Sequence, residues 1–426
     1  MSEQQNQSGL AESLLNVNDL LYRMPPSLGI TARKNHREDF FQQSTYGPNE
    51  TMVLDCQTGS DFVDGSKSYL RFEVKSLGLD GSWGVQGSAA NIFGRIVVRT
   101  RSGREVCRVE VANLLTCYRQ HYHHASDWFD SGTAGAQGYG VTGNPTLTGT
   151  VYAISMAELI PCFAPIGNVL LPPQMMEGLR IELSTVSLGE AMGTANAVTG
   201  YQVLQPRIQW STVQLGDAFQ RKIGEMAASA GLNVLHKEVF HNQVSGSAAS
   251  QTSFDFDIKK SASKALSAFF VSRNNAEVSS LTEDSLKSLP YDWTSHQSHI
   301  GSDYYPMAPI RTSGLAVAAL LTTNVRRLGE AYYYSNLGMG DKKTFVQLEQ
   351  FSGSNEVLLT KSLACIAYDF TKGQALDGSV VNNSRSIIVS ATANAAVAGA
   401  VTRRIDGFLT FLRAAKYFVS TAEIRD

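Results

Sequence analysis

Apolar and polar positions alternate with a period of two through most of the chain from residue 51 onward. In "SYLRFEVKS" (68–76), Leu70, Phe72 and Val74 alternate with polar and charged side chains, which predicts a half-buried β-strand. The same pattern, bounded by Gly, Pro, Asn or Ser, recurs in further segments of both halves of the chain. These segments are 91–100, 103–111, 146–155, 178–186 and 206–215, and then 233–242, 251–259, 264–274, 343–351, 384–393 and 407–420. Six or more strands per half, with few helices, predict an all-β chain of sandwich or jelly-roll type.

The segment "GDAFQRKIGEMAASAGL" (216–232) interrupts this pattern. Phe219, Ile223 and Met226 follow helical spacing, Asp217 can cap the N-terminal end, and Gly231 lies near the C-terminal end. We predict a helix that links two β-domains.

The first 50 residues differ from the rest because they are rich in Gln, Asn and Ser. They contain one amphipathic stretch, 10–24, which ends at Pro25 and Pro26, and then a mixed-charge segment, 31–39, that is interpreted as a loop. This arm either packs under the body or a neighbouring chain, or contacts a lipid surface or scaffold. The predicted division is an arm (1–50), a first β-domain (51–215), a linker helix (216–232) and a second β-domain (233–426).

Charge and cysteine content limit the classes of function. The net charge is −2, from 36 basic and 38 acidic residues, whereas a protein that coats nucleic acid is usually strongly basic. We therefore expect no direct sequence-specific binding of nucleic acid. No signal peptide or transmembrane segment is expected, since the longest apolar run is only 315–321. Five widely spaced cysteines predict reduced, mostly buried thiols.

The segment "CYRQHYHHASDWFDSG" (117–132) is the strongest candidate for chemistry, because it holds His121, His123 and His124. If His121 and His123 alternate on a strand, their rings share a face, and Asp127 could complete a cupin-like metal site. However, Leu115 stands where a cupin expects glycine, and a Gly-rich stretch follows. The favoured interpretation is therefore a long surface loop, with histidines that hydrogen-bond locally, face a neighbouring chain or form a pH-sensitive contact. We predict no bound metal and no cofactor.

Other candidates for chemistry have structural explanations. The chain contains no nucleophile elbow, P-loop or HExxH motif, so no catalytic residue is assigned. Asp255 and Asp257 alternate with phenylalanines and are interpreted as the solvated face of an amphipathic strand. Tyrosines cluster in 303–307 and 330–338, which are interpreted as loops that pack within the chain or contact another copy.

The order of several sequence blocks carries a resemblance to a known family. The first half contains "SYLRFEVKS", "GSAANIFGRIVVRTRSGREVCRVE", "LPPQMMEGLRIELS" and "PRIQWSTVQL", and the second contains "SDYYPMAPIR" and "GFLTFLRAAKYFVS". Together they resemble the double jelly-roll major capsid proteins of double-stranded DNA viruses, with the polinton-like and virophage-related branch most similar. The resemblance covers 51–426 as a pattern of blocks.

This resemblance implies two eight-stranded jelly rolls side by side, joined by short connecting helices. It implies a structural protein of the virion, without catalysis, whose homotrimers form pseudo-hexagonal capsomers that tile an icosahedral shell. The implied partners are further copies of the chain and minor capsid or penton proteins, and the arm is a candidate for contact with an internal membrane. The long segments 119–148 and 275–342 are expected to leave the same end of both rolls.

Two other classes of function stay open at this stage. One is a tandem β-sandwich binding module of the lectin or adhesin type. The other is a cupin-like metalloenzyme that uses His121 and His123.

Overall fold

The structure is a computed structural model that describes most of the chain after residue 32. The described residues are 33–83, 87–124, 128, 131–139, 144–164, 170–192, 198–247, 252–276, 278, 285–286, 288, 293–311, 365–371, 379–382, 386–393, 402–418 and 422–425. The predicted amphipathic stretch 10–24, the predicted strand 343–351 and the tyrosine-rich segment 330–338 lie outside these residues.

Eight strands build the first roll: β1 (Arg33–Phe40), β2 (Thr51–Asp55), β3 (Phe62–Leu77), β4 (Phe93–Arg99), β5 (Glu105–Glu110), β6 (Thr150–Ser155), β7 (Arg180–Thr185) and β8 (Gly200–Gln214). They form two antiparallel sheets, ordered β1-β8-β3-β6 and β2-β7-β4-β5. In this order, strands that are distant in sequence pair within each sheet, as they do in a jelly roll.

The second roll repeats the first with strands β9 (Leu232–Ser247), β10 (Ser253–Ile258), β11 (Ala262–Asn274), β12 (Trp293–Ile300), β13 (Asp303–Arg311), β14 (Ile366–Asp369), β15 (Ile387–Ala393) and β16 (Arg403–Tyr417). Its sheets are ordered β9-β16-β11-β14 and β10-β15-β12-β13, which is the order of the first roll with every strand eight places later. Short strands at Thr45–Tyr46, Ser379–Val381 and Ala422–Arg425 extend the sheets. The prediction of two eight-stranded jelly rolls is confirmed.

Short helices fill the connections: α1 (Ala112–His123), α2 (Gly132–Ala136), α3 (Met156–Leu159), α4 (Pro173–Met176), α5 (Leu188–Ala191) and α6 (Asp217–Ser229), with 3-10 turns at Ala89–Ile92 and Pro161–Phe163. The predicted helix between the halves is α6. Gly216 is its N-cap, and Asp217 is instead the first helical residue, where a carboxylate still complements the helix dipole. Gly231 ends the segment with φ +75°, a conformation that favours glycine.

The interpretation of residues 31–39 as a loop is wrong, because they contain β1. This strand pairs with β8 from Arg33 opposite Gln214 to Phe40 opposite Arg207. Its buried carboxylate, Asp39, accepts a hydrogen bond from the Trp210 indole at 2.8 Å. The first roll therefore begins at Arg33 and not at residue 51. The many charges of β1 suit its place at the edge of a sheet, where charged side chains oppose pairing with other chains.

Two further segments that were interpreted as loops have regular structure. Residues 112–123 form α1, and residues 303–311 form β13 at the edge of its sheet. The predicted strands 91–100 and 103–111 form β4 and β5, which pair as a hairpin, and Gly103 between them has φ +84°.

Among the described residues, buried apolar side chains form three clusters. The largest fills the first roll and continues into the second, a smaller one fills the second roll, and a third lies beneath α6. Four of the five cysteines are buried thiols and Cys365 is half-buried, as the sequence predicts. Within the described part of the chain, no helix has the length and hydropathy that a membrane span requires.

Candidate assembly element at the junction of the two rolls

The two rolls share one continuous apolar cluster, which makes them one unit. Tyr118 of α1 is buried and stacks on Phe269 of β11, with ring centroids 6.2 Å apart. Phe269 in turn stacks on Phe408 of β16 at 4.7 Å. The same cluster includes Ala415 and Tyr417. A permanent interface is expected to be apolar in this way.

Hydrogen bonds across the junction fix how the rolls are placed. The Tyr118 hydroxyl donates to the Leu286 carbonyl at 3.3 Å. The hydroxyl of Ser285, from the same connection of the second roll, donates to the Glu190 carbonyl of the first at 3.0 Å. Arg413 donates to the Val106 carbonyl at 3.1 Å. Burying a polar group costs little free energy when the group has a hydrogen-bond partner. Because hydrogen bonds are directional, these three favour one arrangement of the two rolls.

A buried charge pair supports this junction. Arg413 Nη1 lies 2.6 Å from Glu238 Oε2, beside the fully buried His236. Burial, together with the positive charge of Arg413, lowers the pKa of His236 to about 4. The imidazole is therefore neutral at pH 7.

A second buried network holds the connection that carries Ser285. Asp406 is fully buried, and Arg273 contacts it at 2.6 Å, Arg404 at 3.1 Å and His241 at 3.0 Å. Burial alone would raise the pKa of Asp406, but Arg273, His241 and Arg404 outweigh it and hold the pKa far below its usual range. Arg273 also donates to the Ser285 carbonyl at 2.8 Å. The Asp406 carboxylate thus positions Arg273, and Arg273 holds the segment at Ser285 that contacts the first roll.

The histidine segment lies partly on α1. His121 and His123 belong to this helix and not to a strand. The strand alternation that the metal interpretation assumed is therefore not present at these positions. The side chains of His121 and His123, and residue Asp127, lie outside what the structure describes. Among the side chains that are described, no three His, Cys, Asp or Glu residues gather as metal ligands would.

His124 makes local contacts. Its Nε2 lies 3.2 Å from Glu158 Oε1, and its ring stacks on Trp128 at 3.8 Å. Glu158 also accepts hydrogen bonds from Gln137 at 3.0 Å and Gln120 at 3.3 Å. Burial would raise the pKa of Glu158, but His124 and the two amides outweigh burial and lower it. For His124, this is the local hydrogen bonding that the sequence favoured.

The remaining sequence candidates lie on strands of the second roll. Phe254 and Phe256 are buried and Asp255 is exposed, which confirms the amphipathic strand, and Asp255 accepts a hydrogen bond from Ser390 at 2.6 Å. Tyr304 is 54% exposed on the edge strand β13, where it is available to another molecule. Tyr305 of the same strand packs against Phe370 within the chain.

Sequence reasoning missed the residues that join the rolls. Tyr118 lay in the segment that was interpreted as a loop, although Leu114, Leu115 and Tyr118 have helical spacing. No local signal marks Arg413 or Ser285 as junction residues, because their partners are distant in the sequence.

The described parts of the long connections meet near this junction. Tyr118 precedes the segment 119–148, and Leu286 lies within 275–342, so their hydrogen bond brings the two connections together. This contact is consistent with both connections leaving the same end of the rolls. Much of both segments lies outside the described residues, and their common exit remains a prediction.

The sequence matches no family model and no curated protein. Solved structures are similar over nearly the whole chain. The PBCV-1 virus capsid is 10% identical, with 95% of this chain and 99% of that chain covered and a TM-score of 0.62.

The chain has the double jelly-roll fold.

The Faustovirus major capsid protein is 7% identical, with 95% and 94% of the two chains covered and a TM-score of 0.58. The Sputnik virophage structure is 10% identical, with 95% and 90% covered and a TM-score of 0.56. At such identities the likeness shows the fold. The double jelly roll is common to all three, so placement of this chain in the polinton-like and virophage-related branch remains a prediction.

Proposed function

We propose that this chain is the major capsid protein of a double-stranded DNA virus and forms the shell of the virion. The observation that carries the proposal is the match to the PBCV-1 virus capsid over 95% of this chain and 99% of that one. The match therefore includes both rolls in the same order along the chain, and not only one of the two sandwiches. The proposal assigns the chain a structural role and no catalytic activity.

The proposed assembly is a homotrimer. Three chains with two rolls each supply six similar units, which form a pseudo-hexagonal capsomer that tiles an icosahedral shell. The apolar junction supports this proposal, because each chain of a regular shell must keep its two rolls at a fixed angle. The strand order also supports it, since it is the order of a jelly roll, and the charges of the edge strand β1 oppose uncontrolled pairing with other chains.

The position of the N-terminal arm distinguishes an inner from an outer end of the proposed capsomer. The start of β1, the end of β8 and the start of α6 lie close together, because Arg33 pairs with Gln214 and α6 starts at Asp217. We assign this end, with the N-terminal arm, to the inside of the shell, where an internal membrane or minor capsid proteins would contact it. The opposite end, with the long connections, faces outward.

Light scattering coupled to size exclusion tests the oligomer. The expected mass is three times 46.2 kDa, or that of larger assemblies built from trimers. Negative-stain images should show particles with a hexagonal outline. A stable monomer at micromolar concentration contradicts the proposal.

A further inference from the structure

The internal repeat of the fold indicates how one copy of the chain contacts the next. Within the chain, edge strand β5 of the first roll lies against edge strand β9 of the second. The two strands belong to different sheets and meet through side chains, as where Arg413 of the neighbouring strand β16 donates to the Val106 carbonyl of β5. Because both rolls have the same strand order, β1 is the counterpart of β9 and β13 is the counterpart of β5.

Strands β1 and β9 correspond residue by residue. Their partners β8 and β16 both have 15 residues, and each strand begins opposite the last residue of its partner. The seventh residues, Asp39 of β1 and Glu238 of β9, are both buried carboxylates. Asp39 accepts from Trp210 at 2.8 Å and Glu238 from Arg413 at 2.6 Å, and both donors stand at the same place in β8 and β16. The two strands are therefore equivalent in position as well as in order.

Equivalent residues of β1 and β9 differ in burial. Val239 of β9 is 3% exposed in the apolar cluster that continues between the rolls, whereas its counterpart Phe40 in β1 is 62% exposed. His236 of β9 is fully buried, whereas its counterpart Arg37 is exposed. The Arg207 guanidinium lies 5.9 Å from the centre of the Phe40 ring and still leaves most of that side chain uncovered. The surface that the first roll covers on β9 is therefore uncovered on β1.

Strand β13 differs from its counterpart β5 in the same way. Val106 is the second residue of β5 and is fully buried, whereas Tyr304, the second residue of β13, is 54% exposed. The ladder between β12 and β13 is interrupted beyond Tyr305, and Gln297 of β12 donates to two carbonyls of the resulting bulge at 2.9 and 3.2 Å. Met307 in this bulge is 95% exposed. Aromatic residues and methionine are enriched where one protein contacts another, so this edge is suited to a partner.

The junction inside the chain also shows the relative direction of the two strands that meet there. Near the start of β5, Val106 contacts a residue of β16 that pairs with His236 of β9. Beyond the end of β5, Tyr118 of α1 stacks on Phe269, which lies in the same cross-strand row as His241 of β9. Strands β5 and β9 therefore run in the same direction, and a step along one corresponds to a step along the other.

We propose that β13 of one copy of the chain packs side by side with β1 of the next copy, as β5 packs with β9 inside each chain. Tyr304 lies beside Arg37 of the neighbouring copy, which is the counterpart of the contact at Val106. Three residues further along both strands, Met307 packs on Phe40 of that copy. The contact joins two different surfaces, so it alternates with the junction inside each chain around a closed ring. This inference rests on the proposed function, because it names the surfaces that join the chains of the capsomer.

A disulfide between chains tests both surfaces together. In the full-length double variant Phe40→Cys with Met307→Cys, mild oxidation should link each copy to the next and close a covalent trimer. Co-expression of the two single variants should give linked pairs, whereas neither single variant alone should cross-link. The matched control is Phe40→Cys with Met226→Cys, since Met226 is 45% exposed on α6. Helix α6 begins beside the start of β1, seven strand residues or about 23 Å from Phe40.

The expected product migrates as three linked chains on a non-reducing gel and forms at least about tenfold faster than any product of the control. Linked pairs from Phe40→Cys alone would overturn the inference, because two β1 strands would then face each other. Light scattering of the parent protein separates this inference from the proposed function. A trimeric parent whose double variant does not cross-link, or does so no faster than the control, overturns only the contact between β13 and β1. A monomeric parent overturns the proposed function and this inference together.

Charge substitutions at the same positions provide a second test. Phe40→Asp and Met307→Asp are each expected to weaken association of the chains at least about tenfold, because the contact would bury a carboxylate without a partner. Sedimentation at several protein concentrations measures this change. Both side chains are exposed in the single chain, so circular dichroism should show the parent fold in both variants. Met226→Asp is the matched control and should associate within about twofold of the parent. Association that is unchanged in both Phe40→Asp and Met307→Asp overturns the inference.

Discussion

The contact between Tyr118 and Phe269 gives a quantitative test of whether the two rolls unfold as one unit. Each side chain is almost fully buried, and the two belong to different rolls. Replacing either by alanine leaves a cavity, and large aromatic truncations cost about 3–5 kcal/mol of unfolding free energy. Tyr118→Phe removes only the hydroxyl that bonds to Leu286, so we expect a loss of about 1 kcal/mol.

The double variant isolates the contact across the junction. Aromatic pairs contribute about 0.5–1.5 kcal/mol beyond the area they bury. The sum of the losses of Tyr118→Ala and Phe269→Ala should therefore exceed the loss of the double variant by about 1 kcal/mol. Urea unfolding, followed by circular dichroism and by hydrogen exchange of each roll, measures these free energies. A single transition should be seen for both rolls in the parent protein.

Phe256 supplies the matched control. It is buried inside the second roll and contacts Phe270 at 5.1 Å, within a cluster confined to that roll. Phe256→Ala should cost as much as Phe269→Ala but show no coupling to Tyr118→Ala. Separate unfolding transitions for the two rolls, or zero coupling between Tyr118 and Phe269, would refute the view that the junction makes the two rolls one cooperative unfolding unit.

Three further predictions concern buried charge and the histidine segment. The pKa of His236 is lowered to about 4, so between pH 6.5 and 4 the unfolded chain binds a proton that the folded chain does not; stability should fall by about 3 kcal/mol as pH drops through this window. Urea unfolding at several pH values should show a shallower loss in His236→Gln, and an unchanged slope would contradict the assignment. Asp406→Asn leaves buried arginines without their anion and should cost about 3–5 kcal/mol in the same assay; a loss below about 1 kcal/mol would show that the network contributes little. Elemental analysis should find no stoichiometric metal, and the triple alanine variant of His121, His123 and His124 should fold normally; one metal ion per chain, lost in that variant, would restore the metalloenzyme hypothesis.

The sequence predicted the strands that bury one face, because burial of a single face imposes a period of two. In β3 the inward positions Leu70, Phe72 and Val74 are all fully buried, and the positions between them are not. The linker helix was also predicted, since Ile223 and Ala227 bury one helical face against the first roll. These patterns are local, so they can be identified without knowledge of the partner strand.

The structure was needed to identify elements that are stabilised by segments distant in the sequence. β1 is largely charged and has no apolar alternation, and its pairing with β8 makes it a strand. The histidine-rich segment was interpreted as a loop, but its first part belongs to α1, in which Leu114, Leu115 and Tyr118 are buried. An edge strand needs few apolar residues, because a neighbouring strand supplies most of its contacts.

The sequence by itself therefore determined that the chain is all-β, that it has two similar halves, and that a helix lies between them. Only the tertiary structure decided where the first roll begins, which strands are neighbours, and which side chains join the rolls. Tyr118 and Phe269 are 151 positions apart, and Val106 and Arg413 are 307 apart. The period of a pattern reports which face of a segment is buried, but not which surface covers it. That choice depends on how distant segments pack against each other.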